Sequence, residues 1–145
     1  MVRRAGRSFI ALLICVAVMQ HGCAAPPVTD PPSALLPVNG AIWRLTSMAG
    51  TPVSAEREAT ISFGSDLRVS GRSFINQYGG SYTCDDAGNM AFGPLAMTKM
   101  GGPPELMAME QDFHQLLSRV DGYSFDGRSL VLTAGGGELL RFMQP

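Results

Sequence analysis

Residues 69–100 constrain this chain most. They read Val69-Ser70-Gly71-Arg72-Ser73-Phe74-Ile75-Asn76-Gln77-Tyr78-Gly79-Gly80-Ser81-Tyr82, then a polar turn, then Met90-Ala91-Phe92-Gly93-Pro94-Leu95-Ala96-Met97-Thr98-Lys99-Met100. Apolar and aromatic pieces of strand length are interrupted by glycines at short intervals, so the chain must reverse repeatedly, which is the pattern of a small antiparallel sheet. With 145 residues in all, there is room for one domain and its appendages.

The first appendage is an address. Arg3, Arg4 and Arg7 precede an apolar run over residues 9–19, and small residues follow at Gly22, Cys23, Ala24 and Ala25, the three-part layout of a secretory signal peptide. The run is too short for a spanning helix, which needs about 20 apolar residues. Two readings of the cut stay open. Gly22-Cys23 resembles the end of a bacterial lipobox, which implies a signal peptide over residues 1–22 and lipidation of Cys23. Gln20 and His21 depart from that box, and an ordinary cut after Ala24 or Ala25 is the other reading. Arg3-Arg4 also matches the start of a twin-arginine signal, but basic residues before an apolar core need no such reading.

Residues 23–40 form a tether rich in proline (Pro26, Pro27, Pro31, Pro32, Pro37), a composition that favours extended chain over a packed core. At about 3.1 Å per residue it holds a domain roughly 50 Å from a membrane. The address implies a periplasm-facing lipoprotein at the outer membrane, or a soluble periplasmic protein if Cys23 is not acylated. Lys+Arg total 11 against Asp+Glu 12, and removing the three N-terminal arginines leaves 8 against 12, about −4. With Lys99 the single lysine and no basic stripe, nucleic acid is not an expected partner.

The domain occupies residues 41–145. Ile42, Trp43 and Leu45 open it as a first strand ending near Gly50 and Pro52, with Trp43 as a core anchor. Residues 59–63 alternate as a half-buried strand, and Leu67, Val69 and Gly71 return from a turn at Gly64-Ser65-Asp66. Tyr78 and Tyr82 share a face, and Gly79-Gly80 between them fits a bulge or tight bend. Met90 and Phe92 start one strand, and Leu95, Met97 and Thr98 make another. Pro103-Pro104-Glu105 opens an amphipathic helix with Leu106, Met109, Phe113, Leu116, Leu117 and Val120 on one side, ended by Gly122. On this reading Glu105 and Glu110 serve the positive end of the helix dipole, and His114 lies near the polar side. Tyr123 with Phe125, Leu130 with Leu132, and residues 139–143 are the last strands, joined by turns at Asp126-Gly127 and at residues 135–137.

Few residues suggest chemistry. Asp85 and Asp86 sit in a turn cluster with Gly88 and Asn89, where side-chain to backbone bonds are expected and no third ligand lies at calcium spacing. Cys15 leaves with the signal peptide, and Cys84 is expected as a small half-buried residue. A nucleophile–base pair of Cys84 and His114 requires the fold to bring them together. Met90, Met97, Met100, Met107, Met109 and Met143 raise copper(I), but their spread along the chain favours adaptable core filler. No catalytic residue, metal or cofactor is assigned.

The opening Trp43-Arg44-Leu45, the segment from Gly71 through Asn76 and Gly80 to Tyr82, the run from Phe92 to Met100 including Thr98, the helix with Glu110, and Leu130-Val131-Leu132 resemble the META domain family of HslJ-like envelope lipoproteins, over about residues 41–142. The resemblance implies an α+β fold, a small incomplete antiparallel barrel with one amphipathic helix across its opening. It makes Trp43, Gly71, Asn76, Gly80, Tyr82, Thr98, Met100 and Glu110 structural motif positions. The family typically carries Gly-Cys-Asn where this chain has Phe74-Ile75-Asn76, and often a second cysteine where it has Gly102, which fits a disulfide lost as a unit. It also implies a non-enzymatic envelope module linked to stress or drug tolerance, with an envelope protein as partner. The runner-up is binding of a lipid or another apolar ligand, as in pilot lipoproteins of similar barrel, and that likeness is one of fold alone.

Overall fold

A computed structural model describes residues 40–144. Cys23, the signal segment and residues 23–39 of the tether lie outside the described residues. The chain order is β1 (Ile42–Met48), β2 (Thr51–Pro52), β3 (Ala59–Phe63), β4 (Arg68–Ser73), β5 (Asn76–Cys84), β6 (Met90–Phe92), β7 (Ala96–Met97), α1 (Pro104–Leu117), β8 (Gly122–Asp126), β9 (Ser129–Ala134) and β10 (Gly137–Met143). One sheet runs β6-β5-β4-β3-β1-β10-β9-β8, with β2 added on β1 and β7 on β5. All pairings are antiparallel.

The sheet nearly closes. Its two end strands meet at the bridge between Asn89 and Gly122, where the Met90 N–H donates to Asp121 O at 3.1 Å and the Tyr123 N–H to Gly88 O at 2.8 Å. Alternation along β3, β4 and β5 brings Ile61, Phe63, Val69 and Tyr82 into the interior, β9 and β10 add Leu130, Leu132, Leu140 and Phe142, and α1 adds Phe113 and Leu117. These are the largest fully buried side chains, so the barrel is a packed core. Ile42, by contrast, points outward from β1 and is 59 % exposed.

Several expectations need correction. Gly79 and Gly80 form no bulge, since β4 and β5 pair without a break from Arg68↔Ser81 to Ser73↔Asn76. Gly80 is required by close approach instead: a Cβ there would stand 2.7 Å from Pro94 O and from Leu95 Cδ2. The breaks in register fall in β1 against β10 and in β10 against β9. The helix ends at Leu117, five residues before Gly122, after which Arg119 and Val120 N–H groups bond to Leu116 and Leu117 carbonyls. Gly122 belongs to β8.

The methionines are the largest departure. Met90 is buried, but Met97, Met100, Met107 and Met143 are exposed. The apolar demand of the interior is already met by aromatic and aliphatic side chains, which leaves most of the thioethers on the outside.

Candidate functional site

The β4–β5 hairpin positions the polar centre of the molecule. Its two-residue loop is Phe74-Ile75, and Phe74 has a φ of +62°. The Ile75 N–H donates to Ser73 O at 2.7 Å, a γ-turn of positive φ that is strained for a residue with a side chain. Burial holds it there, the Phe74 ring meeting Phe113 edge-on at 6.1 Å. This tight reversal places Ser73 and Asn76 side by side beneath α1.

Glu110 projects from α1 onto that pair and is 5 % exposed. Its Oε1 accepts the Ser73 hydroxyl at 2.7 Å and the Asn76 backbone N–H at 2.9 Å, and its Oε2 accepts Asn76 Nδ2 at 2.7 Å. Asn76 also reaches the segment before the helix. Its Oδ1 accepts the Thr98 hydroxyl at 2.8 Å and the Met100 N–H at 2.7 Å, while Nδ2 donates to Met100 O at 3.2 Å. One asparagine thus joins hairpin, helix and connecting segment.

The helix dipole expected to hold Glu110 does not account for this position. Glu110 is the seventh residue of α1, beyond the first turn where the dipole acts, and its partners come from the sheet. Burial pushes its carboxyl up, but the donors from Ser73 and Asn76 outweigh this and leave it below the usual range.

His114 corrects a second expectation. It is half-buried on the flank of the inward face, with its ring edge-on to Tyr78 at 5.4 Å and to Phe113 at 5.6 Å. Its Nε2 lies 3.0 Å from Ser73 Oγ. Both other neighbours of the Ser73 hydroxyl, Glu110 Oε1 at 2.7 Å and Asn76 O at 3.2 Å, can only accept, so the single Ser73 proton goes to one of them and His114 Nε2 donates to Ser73. The order is the reverse of a nucleophile and its base, and Ser73 is fully buried. Burial holds the His114 imidazole below its ordinary value, opposed by the charge of Glu110.

Of the eight motif positions, four converge here: Asn76, Thr98, Met100 and Glu110. The other four serve the barrel. Trp43 is buried and lies 6.0 Å from Phe125. A Cβ on Gly71 would collide with the Thr60 carbonyl and stand 2.8 Å from the Tyr78 hydroxyl, which itself donates to Thr60 O at 2.9 Å. Gly80 admits the segment at Leu95, and Tyr82 packs edge-on to Phe63 at 5.0 Å. Ser73, which no motif marks, belongs to the polar centre, and Tyr78, read only as sharing a face with Tyr82, forms its floor. Their sequence signal is slight, since a serine and a tyrosine on an alternating strand differ in no visible way from their neighbours.

The remaining candidates stand apart. Asp85 accepts the Ala87 and Asn89 N–H groups at 3.0 and 2.9 Å and Asn89 Nδ2 at 2.7 Å, bonds that hold its carboxyl below the ordinary value, the Asn89 side chain foremost. Cys84 is buried opposite Met90, six residues further along β5 than Tyr78, about 20 Å at the rise of a strand. Since His114 lies against Tyr78, the fold does not bring Cys84 and His114 together. Among the described residues no group of three His, Cys, Asp or Glu is placed to hold a metal, and no helix is long and apolar enough to cross a membrane.

Two larger grooves flank the helix. One, of about 710 Å³, runs between the β1–β2 corner at Met48 and Pro52 and the helix at Met109 and Leu116. The other, of about 800 Å³, lies between Met97 on β7 and the helix from Pro104 to Ser118.

A near-closed antiparallel barrel, with a helix fastened across it by a buried carboxylate, defines a small lidded-barrel domain. The chain belongs to the META domain family, whose model matches residues 36–145. Among curated proteins none matches. Solved structures show the same fold: an NMR structure of a Burkholderia xenovorans protein is 22 % identical with a TM-score of 0.59, covering 87 % of this chain and 97 % of that one. A crystal structure of a DUF4847 family protein from Bacteroides vulgatus is 14 % identical with a TM-score of 0.58, covering 74 % and 94 %.

Proposed function

We propose that this META domain is a non-enzymatic contact module of the cell envelope. It is held at a membrane, the outer membrane of the periplasm, through lipid on Cys23, and it acts in envelope stress or drug tolerance by binding another envelope protein. The observation that carries the reading is the direction of its polar groups. Ser73, Asn76, Glu110 and His114 face one another and are used in fastening the helix, while apolar side chains such as Met97 and Met107 are left outside. Such a surface suits docking better than turnover.

The runner-up, binding of a lipid or another apolar ligand, calls for an enclosed cavity between helix and barrel. That space is taken by ring contacts of Phe113 with Phe74, Tyr78 and Phe142 at 5.7–6.4 Å, which favours the contact module. The test is photo-crosslinking of the full chain in its own membrane, with crosslinkers on several faces, alongside palmitate labelling. A discrete protein adduct, and a label lost in Cys23→Ala, are expected. A soluble, unlabelled protein with no adduct from any face overturns the reading. Mass spectrometry showing a retained lipid in place of a protein adduct installs the runner-up.

A further inference from the structure

The groove between β7 and α1 has an open backbone edge. β7 meets β5 at Tyr78↔Met97 and Gly79↔Ala96, and the Thr98 N–H donates to Gln77 O at 3.0 Å. Alternate residues of an antiparallel strand aim their backbone groups at opposite neighbours. Thr98 is bonded to β5, so Met97 turns its N–H and C=O away from it. No described strand lies on that side: β8 meets the sheet at Asn89, and beyond that point the edge faces the helix across the groove.

The walls specify the occupant further. Met97, Met107 and Ala108 supply apolar surface, and Gln111, Gln115 and Ser118 supply neutral donors and acceptors. Glu110 also borders the groove, but its oxygens are occupied by Ser73 and Asn76, and burial favours the neutral form of His114. The lining offers a charged side chain no free counter-charge, whereas its amides and hydroxyl can pair with neutral polar groups. An uncharged extended segment finds an unpaired backbone edge on one side and adaptable thioether surface on the other.

We propose that this groove binds an uncharged, extended peptide segment of an envelope protein as an added strand on β7. Alternate side chains of the added strand enter between Met97 and α1, and its backbone pairs with the outward groups of Met97. The proposal rests on the contact-module reading and names its site and the chemistry of its partner.

The test uses the full chain in detergent and an end-capped seven-residue peptide alternating valine and threonine, followed by backbone amide NMR. Shifts are expected at Met97, Lys99 and Gln111, with hydrogen exchange of the Met97 amide slowed about tenfold or more. Met97→Pro removes the outward N–H at an edge position that tolerates proline, and it is expected to weaken binding about tenfold or more, while Met97→Leu retains it. Ala108→Asp, on the exposed helix wall, is a second variant expected to weaken binding without relying on the fold's tolerance of proline. A peptide with aspartate and lysine in place of threonine is expected to bind at least about tenfold more weakly.

Absent protection at Met97, or equal binding by the Pro and Leu variants, overturns the proposal. So does protection of Met97 only in a concentration-dependent dimer, or only on phosphatidylcholine vesicles. The two readings fail separately: a crosslinker at Met97 that stays silent while another face captures a protein removes the groove and leaves the contact module, whereas silence from every face removes both.

Discussion

The two ends of the barrel are held by different forces. Where β4 turns into β5, three donors converge on one buried carboxylate, and a single asparagine ties hairpin, helix and the segment at Met100 together. About 20 Å further along β5, the interior is aromatic: Phe63 meets Tyr82 at 5.0 Å and Phe92 at 6.4 Å. Ring packing is broadly tolerant of shape-conserving change. A buried carboxylate with its donors is directional, and losing one partner leaves the others unsatisfied. The polar end therefore sets where the helix sits, and the aromatic end supplies bulk stability.

Breaking the polar end tests this most severely. Glu110→Ala leaves the Asn76 N–H without its acceptor and takes from Asn76 Nδ2 and the Ser73 hydroxyl their shorter one, and it is expected to cost about 3–5 kcal/mol in urea unfolding, with Glu110→Gln costing less, about 1–3 kcal/mol. A loss below about 1 kcal/mol for the alanine variant would show that the helix is positioned by its apolar face alone.

The same end can be strengthened. Gly102 stands against Ile75, where a Cβ would be 3.1 Å from Ile75 Cγ1, so isoleucine fills the space at the two positions where the family often carries cysteines. Ile75→Cys combined with Gly102→Cys is expected to form a disulfide under oxidising conditions and to stabilise the domain by about 3 kcal/mol. Non-reducing mass spectrometry and the thermal midpoint, each compared with Ile75→Cys alone, decide it.

Acid probes the polar end more gently. His114 is held below its ordinary 6.5 and Glu110 below 4.5, so in each case the unfolded chain takes up protons first and stability falls with pH. The thermal midpoint is expected to decline as pH drops below 6.5 and further below 4.5, with the first decline reduced in His114→Gln. A flat profile between pH 7 and 5 would remove His114 from this account.

The smallest effect belongs to the aromatic end. Tyr82→Phe keeps the ring against Phe63 and loses only a 3.3 Å bond to Gly64 O, for an expected cost of about 0.5–1.5 kcal/mol. A cost matching that of Glu110→Ala would erase the contrast between the ends.

Much of this fold is legible in the sequence, because strands that bury one face must alternate and a helix that covers a sheet must carry a stripe. β3, β5 and α1 follow those periods, whereas β9 is buried on both faces from Ser129 to Leu132. β2 was not legible, as two residues carry no period. The site was only partly legible: Asn76, Thr98, Met100 and Glu110 were marked by resemblance, but nothing in their spacing says that they touch. Ser73 and His114 depend on a hairpin and a helix separated by a long stretch of chain.

By itself the sequence determined the antiparallel sheet and the helix over it, since these follow from local period and turn residues. Only the tertiary structure decided that Glu110 turns inward, that Met97 and Met107 border a groove instead of filling the core, and that Met97 keeps an open backbone edge. Those outcomes turn on which groups compete for the same interior volume and the same donors, a contest between segments distant in the chain.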